Sequence, residues 1–163
     1  PVVMPQIYIS VGTNCNRDYH IKMAVAALTE AFGALTLSSV YESDAVGFKG
    51  DPFYNMVIGA QTELPIHQCV ALFKAIEDNY GRVRGGEKFS GRTLDLDLLT
   101  YDNQVCQSPV ELPRAEILYN AFVLWPLAEI APDLSHPIAG QSYAQLWAQY
   151  QSEQRIWPVP FHF

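Results

Sequence analysis

Near its middle the chain carries the stretch Arg92-Thr93-Leu94-Asp95-Leu96-Asp97-Leu98-Leu99. Two aspartates alternate with leucines in it, and side chains on a strand point alternately to the two faces of a sheet. Both carboxylates therefore leave one face while the leucines are buried on the other. The alternation predicts an amphipathic strand over residues 93–101, with two like charges side by side on its polar face.

Two neighbouring carboxylates repel each other unless a cation lies beside them. Mg²⁺ typically takes one or two carboxylates and completes its shell with waters and substrate phosphates. The loop just before the strand holds four of the chain's ten Lys and Arg residues, in a protein whose formal net charge is −7. Such a concentration of cations indicates an anion. The combined stretch predicts a polyphosphate and magnesium site, with these cations on the phosphates: Arg82, Arg84, Lys88 and Arg92.

Each half of this pattern also has a simpler interpretation. An Asp-x-Asp pair on an exposed strand is often only a solvated edge, and a cluster of Lys and Arg is often only a solvated loop. Gly85, Gly86 and Gly91 suit a lid that closes over substrate, but they also suit any surface connection. The adjacency of the basic and acidic halves favours the site.

Composition limits the other possibilities. A chain of 163 residues, 49% hydrophobic and 17% charged, fits one compact domain over residues 1–163. No apolar run approaches the roughly 20 residues of a membrane span, and residues 1–10 lack the features of a secretory signal, so we expect a cytoplasmic protein away from membranes. Three widely spaced cysteines suggest neither a disulfide framework nor a zinc site.

The acidic balance, with a pI near 4.9, argues against a nucleic-acid surface, because binding nucleic acid requires broad neutralisation of phosphates. The partners that we expect are therefore small molecules. The lack of an obvious apolar stripe favours a monomer.

Hydrophobic periodicity predicts the order strand, helix, strand, strand, helix, strand. Asp18 is the expected N-cap of the first helix and Gly33 its C-terminal glycine. This order is the split βαβ arrangement of ferredoxin-like folds, in which two helices cover one face of a sheet and the other face is left for ligand loops. The predicted strands cover residues 6–11, 35–41, 53–62 and 93–101, and the helices residues 18–32 and 65–80.

The remaining residues extend this core. Helical patterns cover residues 118–130 and 143–149, and residues 157–160 form a tail interrupted by prolines. The predicted fold class is α+β, a ferredoxin-like βαββαβ core with extra C-terminal helices.

Four stretches resemble, in order and spacing, the 6-hydroxymethyl-7,8-dihydropterin pyrophosphokinase family. The resemblance covers residues 6 to about 137 and implies a ferredoxin-like α+β domain, which agrees with the order predicted from periodicity. The stretches are the signature at 92–99 with 81–84 before it, the first strand and turn at 8–14, the pterin segment at 38–43 and 53–55, and the closing helix at 122–132.

The family transfers a pyrophosphoryl group from ATP to the hydroxymethyl oxygen of the pterin, leaving AMP, in folate biosynthesis. The resemblance implies ATP as co-substrate and two Mg²⁺ ions held by Asp95 and Asp97. It implies that Arg82 and Arg92 are the catalytic phosphate clamps. The residues implied to lie beside the nucleotide are Glu77, Arg84, Lys88 and Arg114.

A pterin is a flat heteroaromatic ring with donors and acceptors along one edge. By resemblance, Phe53 and Phe122 are its two stacking residues, and the Asn55 amide binds its edge together with backbone groups at Ser43 and Val46. Without the resemblance, two phenylalanines and an asparagine would be read as ordinary core and a turn.

The chain departs from the family pattern at several positions. Residues 89–91 read Phe-Ser-Gly where the family usually has Trp-Gly-Pro, and Gly85 stands where a basic residue is common. Arg114 replaces a histidine and Asn120 an arginine. Arg114 could restore the positive charge, but an asparagine cannot bind phosphate bidentately as arginine does.

These departures leave two hypotheses. The first is an active pyrophosphokinase that uses ATP and Mg²⁺. The alternative is a diverged paralogue that binds a pterin or nucleotide, or acts on a modified pterin, without the usual turnover.

Overall fold

The computed structural model describes residues 4–43, 52–80, 94–151 and 154–163. The predicted order of the first four strands and two helices is confirmed, except that the second strand is split in two. The elements are β1 (Gln6–Thr13), α1 (Arg17–Phe32), β2 (Thr36–Leu37), β3 (Val40–Ser43), β4 (Phe53–Gln61), α2 (Ile66–Asn79), β5 (Asp95–Tyr101), a 3₁₀ helix (Ala115–Leu118), α3 (Ala121–Ile130), α4 (Tyr143–Gln149) and β6 (Ile156–Val159).

The strands form one antiparallel sheet in the order β5-β1-β4-β3-β6, with β2 also paired to β4. The first four strands of this order give the ferredoxin-like arrangement that the sequence predicts. Helices α1 and α2 cover one face, where Ile21, Leu28 and Phe73 pack against alternate strand residues such as Ile9 and Ile58. Each side chain of this kind contributes roughly 1.5–3 kcal/mol when it is fully buried.

The expectation that the second face would be left for ligand loops is wrong for much of that face. Helix α3 packs there, with Val123, Leu124 and Leu127 against Val57 and Leu99 of the sheet. Most residues of α3 are apolar and buried, so the helix requires cover on several sides. It begins at Ala121 rather than Leu118, because the residues before it form the 3₁₀ helix.

The predicted strand over residues 35–41 is interrupted by a β-bulge. Leu37 pairs with Ile58 and Tyr41 with Asn55, so one strand advances four residues while its partner advances three. Ser38 supports the bulge, because its hydroxyl accepts a hydrogen bond from the Val57 amide at 2.9 Å.

Glu129 of α3 closes the outer side of this bulge. Its carboxylate accepts hydrogen bonds from the backbone amide and hydroxyl of Ser39, at 2.9 and 2.7 Å, and from the Tyr41 hydroxyl at 2.8 Å. Burial raises the pKa of Tyr41, and so does the hydrogen bond to Glu129. The phenol therefore stays a donor, and the bulge joins the sheet to α3.

Two further expectations are wrong in detail. The C-terminal tail forms a strand, β6, along the outer edge of β3, where Pro158 is tolerated because an edge strand has one unpaired side. Helix α1 begins at Arg17 after Asn16, which has φ 44°, so Asp18 lies in the first turn and is not the N-cap. The role of Gly33 is confirmed, with φ 80° and its N–H donating to the Thr29 carbonyl at 2.8 Å.

Within the described ranges, no helix is long and apolar enough to cross a membrane.

We predict that Glu129→Ala lowers the free energy of unfolding by about 1–2 kcal/mol, because three donors lose a partly solvated acceptor. Urea denaturation measures the change. Glu63→Ala, at an exposed glutamate with no side-chain hydrogen bond within the described residues, is the control and should have no effect. Equal stability of the two variants would show that the Glu129 contacts do not stabilise the fold.

Candidate active site

Asp95 and Asp97 lie on β5, whose pairing partner is the central strand β1. Leu94, Leu96 and Leu98 are buried while both aspartates are partly exposed, so the predicted alternation is confirmed. The two carboxylates project from the face of the sheet on which α3 packs. They lie at the end of β5 that is farther from Thr100.

The register of β1 connects these carboxylates to the predicted pterin residues. Gly12 pairs with Asp95 on one side and with Asn55 on the other, and directly paired residues share a face. The Asp95 and Asn55 backbones are therefore two strand spacings apart, about 10 Å. Phe53 lies on the same face, opposite Ser43. One end of the sheet thus brings the acidic pair and the predicted pterin residues Asn55 and Phe53 together.

Gly12 keeps the space between them open. A Cβ atom at this position would lie 3.3 Å from Asn55 Oδ1, tighter than an ordinary contact. Ser10 occupies the next position on the same face, opposite Asp97. Sequence reasoning did not select Ser10 or Gly12 as site residues, because their place beside the acidic pair depends on the register between strands.

Asn55 is buried and held in one orientation. Its Nδ2 donates to Ser43 Oγ at 2.9 Å, so the Ser43 side chain orients the amide. This role is separate from the contact with the pterin that is predicted for the Ser43 backbone. Phe53 and Phe122 are both half-buried, and Phe122 lies in the first turn of α3. Val46, the remaining predicted pterin residue, lies outside the described residues.

Arg17 anchors both sides of the chain segment between β3 and β4. Its guanidinium donates to Glu42 Oε2 at 2.7 Å and to the Pro52 carbonyl at 3.0 Å, and it lies 4.0 Å from the centroid of the Tyr54 ring. These contacts attach the flanks of the predicted pterin segment to α1. No local sequence signal marks Arg17 for this role, since its partners lie 25 and 35 residues away.

Glu77 lies near the end of α2 and is buried. Its Oε2 accepts a hydrogen bond at 2.9 Å from the amide of Leu96, the residue between the two aspartates. The carboxylate therefore occupies a backbone donor on the edge strand and fixes the backbone that carries the acidic pair. Its predicted place beside a nucleotide stays a prediction.

Arg114 is fixed alongside β5 and reaches the acidic pair. Its amide donates to the Leu99 carbonyl at 2.9 Å, and its guanidinium lies 3.3 Å from Asp97 Oδ1 and 3.3 Å from Glu116 Oε1. A cleft of about 480 Å³ along this edge is lined by Glu77, both aspartates, Arg114 and Glu116.

Asn120, which stands where the family has an arginine, has both ends of its amide engaged. Its Nδ2 donates to Glu116 Oε2 at 3.1 Å, and its Oδ1 accepts from Gln154 Nε2 at 3.1 Å. Glu116 therefore bridges Arg114 and Asn120. This arrangement leaves Arg114 as the cation of its segment that faces the acidic pair.

The predicted residues of the basic loop, Arg82, Arg84, Lys88 and Arg92, lie outside the described residues. Within the described part of the chain, no group of three or more His, Cys, Asp and Glu residues is placed to hold a metal ion by itself. The Asp95 and Asp97 pair fits Mg²⁺ only as part of a shell, the remainder coming from water and phosphate oxygens.

A sequence model of the 7,8-dihydro-6-hydroxymethylpterin-pyrophosphokinase (HPPK) family matches residues 8–132, which is most of the chain. This chain belongs to the HPPK family. The match includes β5 with its two aspartates, both predicted stacking residues, and the Arg114 to Asn120 segment.

Individual relatives agree with this assignment. The 2-amino-4-hydroxy-6-hydroxymethyldihydropteridine pyrophosphokinase of Synechocystis is 37% identical over 138 residues, which cover 84% of this chain and 70% of the relative. The enzyme of the same name from Aquifex aeolicus is 30% identical over 158 residues, covering 95% and 96%.

Solved structures share the fold. The wild-type HPPK-DHPS of Plasmodium falciparum with SDX-DHP superimposes with a TM-score of 0.69 at 12% identity, over 90% of this chain. This chain spans 43% of that longer chain, so the likeness concerns one part of it.

We predict that Glu77→Ala lowers the free energy of unfolding by about 1–3 kcal/mol, because the buried Leu96 amide loses its acceptor. Glu77→Gln keeps an amide oxygen and should lose less. Urea denaturation compares both with Glu30→Ala, at an exposed position of α1. If Glu77→Ala proved as stable as that control, Glu77 would not be fixing β5.

Proposed function

We propose that this chain performs the reaction of its family at the open end of the sheet, with Asp95 and Asp97 as the metal ligands. HPPK enzymes transfer pyrophosphate from ATP to 6-hydroxymethyl-7,8-dihydropterin in folate biosynthesis, and this chain is an ATP-dependent pyrophosphokinase of that class. The observation that supports the proposal is the row Asp95, Gly12, Asn55 across three paired strands, because it brings a proposed metal ligand and a proposed pterin residue to the same end of the sheet.

The donor set supports magnesium. Two carboxylates on one face, with an open cleft beside them, leave coordination positions for phosphate oxygens. We propose that the pair shares two Mg²⁺ ions. When bound, Mg²⁺ neutralises charge on the transferred group and lowers the pKa of the hydroxymethyl hydroxyl. No side chain among the described residues stands out as a general base for that hydroxyl.

Phosphoryl transfer depends mainly on positioning and on neutralising charge that spreads over the phosphate oxygens. We assign Arg82 and Arg92 as the catalytic clamps on these oxygens, with Arg84 and Lys88 assisting. The support is their place in the sequence, immediately before the strand that carries the acidic pair.

The pterin site is proposed from an oriented amide, two aromatic rings and backbone groups at its edge. Asn55 presents its amide oxygen towards Gly12 while Ser43 holds its nitrogen, so the amide cannot rotate freely. Phe53 and Phe122 supply ring faces, and backbone groups at Ser43 and Val46 complete the edge. A rigid amide and flat apolar walls suit a flat ring with donors and acceptors.

Arg114 is proposed to bind the nucleotide phosphates, in the role that an arginine at position 120 would otherwise share. Its guanidinium lies between Asp97 and Glu116. Phosphate oxygens bound in this cleft would compete with Asp97 and Glu116 for the guanidinium, and a metal ion held by Asp97 would occupy the carboxylate that the guanidinium contacts, so Arg114 would turn towards the phosphates. Asn120 remains held by Glu116 and Gln154.

We predict that the protein forms AMP from MgATP only when 6-hydroxymethyl-7,8-dihydropterin is present, and that Asp97→Ala lowers kcat at least about 10²-fold, because the phosphates lose their metal. Asp95→Asn should be similarly impaired. An assay of AMP by chromatography, with Asp133→Ala at an exposed position as control, measures both. Turnover that survived Asp95→Asn would remove the basis for metal activation of the hydroxyl.

A wild-type protein that bound the pterin but formed no AMP would overturn the proposal. That result would favour the diverged paralogue, which no comparison or contact supports at present. It would also identify Asn120 as the first departure to revert to arginine.

We predict that Arg114→Gln raises the KM for MgATP about tenfold, the effect of one lost charge-assisted hydrogen bond of roughly 1.4 kcal/mol. The KM for the pterin should not change, and Arg114→Lys should be intermediate. Steady-state kinetics test this, with Lys22→Gln on the exposed side of α1 as control. An unchanged KM for MgATP would assign Arg114 a purely structural role.

A further inference from the structure

A second cavity, of about 640 Å³, lies on the α3 face of the sheet, away from the candidate active site. Thr100 lines it and is five residues from Asp95 along β5, which corresponds to roughly 17 Å. Tyr8, paired with Thr100 on the neighbouring strand, and Tyr143, the first residue of α4, line it as well. We call this space the tyrosine cavity, after Tyr8 and Tyr143.

Three buried hydroxyl residues line the tyrosine cavity. The exposed fractions of Tyr143, Thr100 and Tyr8 are 2%, 4% and 8%, and none of these side chains has a hydrogen-bond partner among the described residues. Their hydroxyl oxygens are not among the enclosed polar atoms that lack a partner in the described part of the chain, so they are open to the cavity, where a ligand can reach them. Burial raises the pKa of Tyr8, and burial together with Tyr8 raises the pKa of Tyr143 to about 12, so both phenols are neutral donors at ordinary pH.

Gly59 gives the Tyr8 ring its place. A Cβ atom on Gly59 would lie 2.9 Å from Tyr8 Cε1, so a side chain there would displace the ring. Because Gly59 has no side chain, the Tyr8 ring can lie directly against the sheet at this position. The cavity is thus a consequence of packing in this part of the sheet.

The charge of the lining disfavours ATP, the phosphate-bearing substrate of the proposed reaction. Among the described residues, the lining includes no Lys, Arg or His, and the Asp102 carboxylate already accepts a hydrogen bond from the Gln6 amide at 2.7 Å. Nucleotides and other phosphates would find no cation here. The outer wall carries Val105 and Leu134, which are 54% and 46% exposed, so a ligand can cover apolar surface that is now solvated.

We propose that the tyrosine cavity binds an uncharged heteroaromatic molecule of one or two rings. Its edge N–H and C=O groups pair with the hydroxyls of Tyr8, Thr100 and Tyr143, and its ring covers Leu134 and Val105. A volume of this size lies within the range of small-molecule sites, which combine apolar walls with a few fixed polar groups.

The test uses the full ¹⁵N-labelled chain and quinazolin-4-one, a two-ring lactam that is uncharged at neutral pH. We expect amide shifts in residues 6–8, 100–105 and 134–143, with a dissociation constant of about 1 mM for a fragment of this size. Tyr143→Phe keeps the ring and removes the hydroxyl, so it should weaken binding about fivefold. It should leave stability unchanged, because that hydroxyl has no partner among the described residues. Tyr19→Phe, at an exposed tyrosine, is the matched control and should bind as the wild type does.

Two results would overturn the proposal. Shifts confined to residues 53–55 and the start of α3 would place the probe in the pterin site alone. Equal affinity for the wild type and Tyr143→Phe, with shifts around the cavity, would show that the hydroxyls do not recognise the ligand.

Discussion

The register of β1 between β5 and β4 is the constraint on which the candidate site depends. Side chains alternate along a strand, so a slip of one residue would move Asp95 and Asp97 from the α3 face to the face that α1 and α2 cover. Two carboxylates would then be buried without water, at a large cost in free energy. The same register sets Gly12 between Asp95 and Asn55, where a Cβ atom would lie 3.3 Å from Asn55 Oδ1.

Two irregularities in strand pairing determine how the sheet contacts the side of the molecule that carries α3. The pairing of β1 with β5 shifts at Tyr8 and Ile9, so the successive residues Leu99 and Thr100 both lie on the α3 side, Leu99 packed with α3 and Thr100 paired with Tyr8 beside the tyrosine cavity. The bulge at Ser38 and Ser39 similarly presents backbone and hydroxyl donors to Glu129. Because α3 is fixed in this way, its first turn, with Phe122, has a defined position beside the open end of the face.

Electrostatics at this end of the sheet follow from the scarcity of cations in an acidic chain. Arg114 lies between Asp97 and Glu116, and Glu116 in turn holds Asn120. In the proposed mechanism the Arg114 guanidinium exchanges these carboxylates for phosphate. The Asn120 amide, in contrast, already has hydrogen-bond partners at both ends. This is the physical basis for assigning nucleotide binding to Arg114 rather than to Asn120.

The sequence by itself determined the features that depend on local periodicity and local chemistry. The alternation of Asp95 and Asp97 with leucines, the helices over α1 and α2, the Gly33 cap and the ferredoxin-like order could all be predicted, because period and turn preference are properties of a few adjacent residues. Family membership also followed from short motifs in a fixed order. The face that Asp95 and Asp97 share was predictable in this way, whereas the assignment of pterin residues stays a prediction.

Only the tertiary structure decided which segments meet. In the structure β6 pairs with β3, and α3 covers the second face of the sheet. Arg17 joins the flanks of the predicted pterin segment, and Glu116 contacts both Arg114 and Asn120. Each of these depends on partners far apart in sequence, or on a register that many pairings could satisfy locally. Periodicity specifies which face a residue turns to, but the choice of partner on that face is made by the packing of the whole chain.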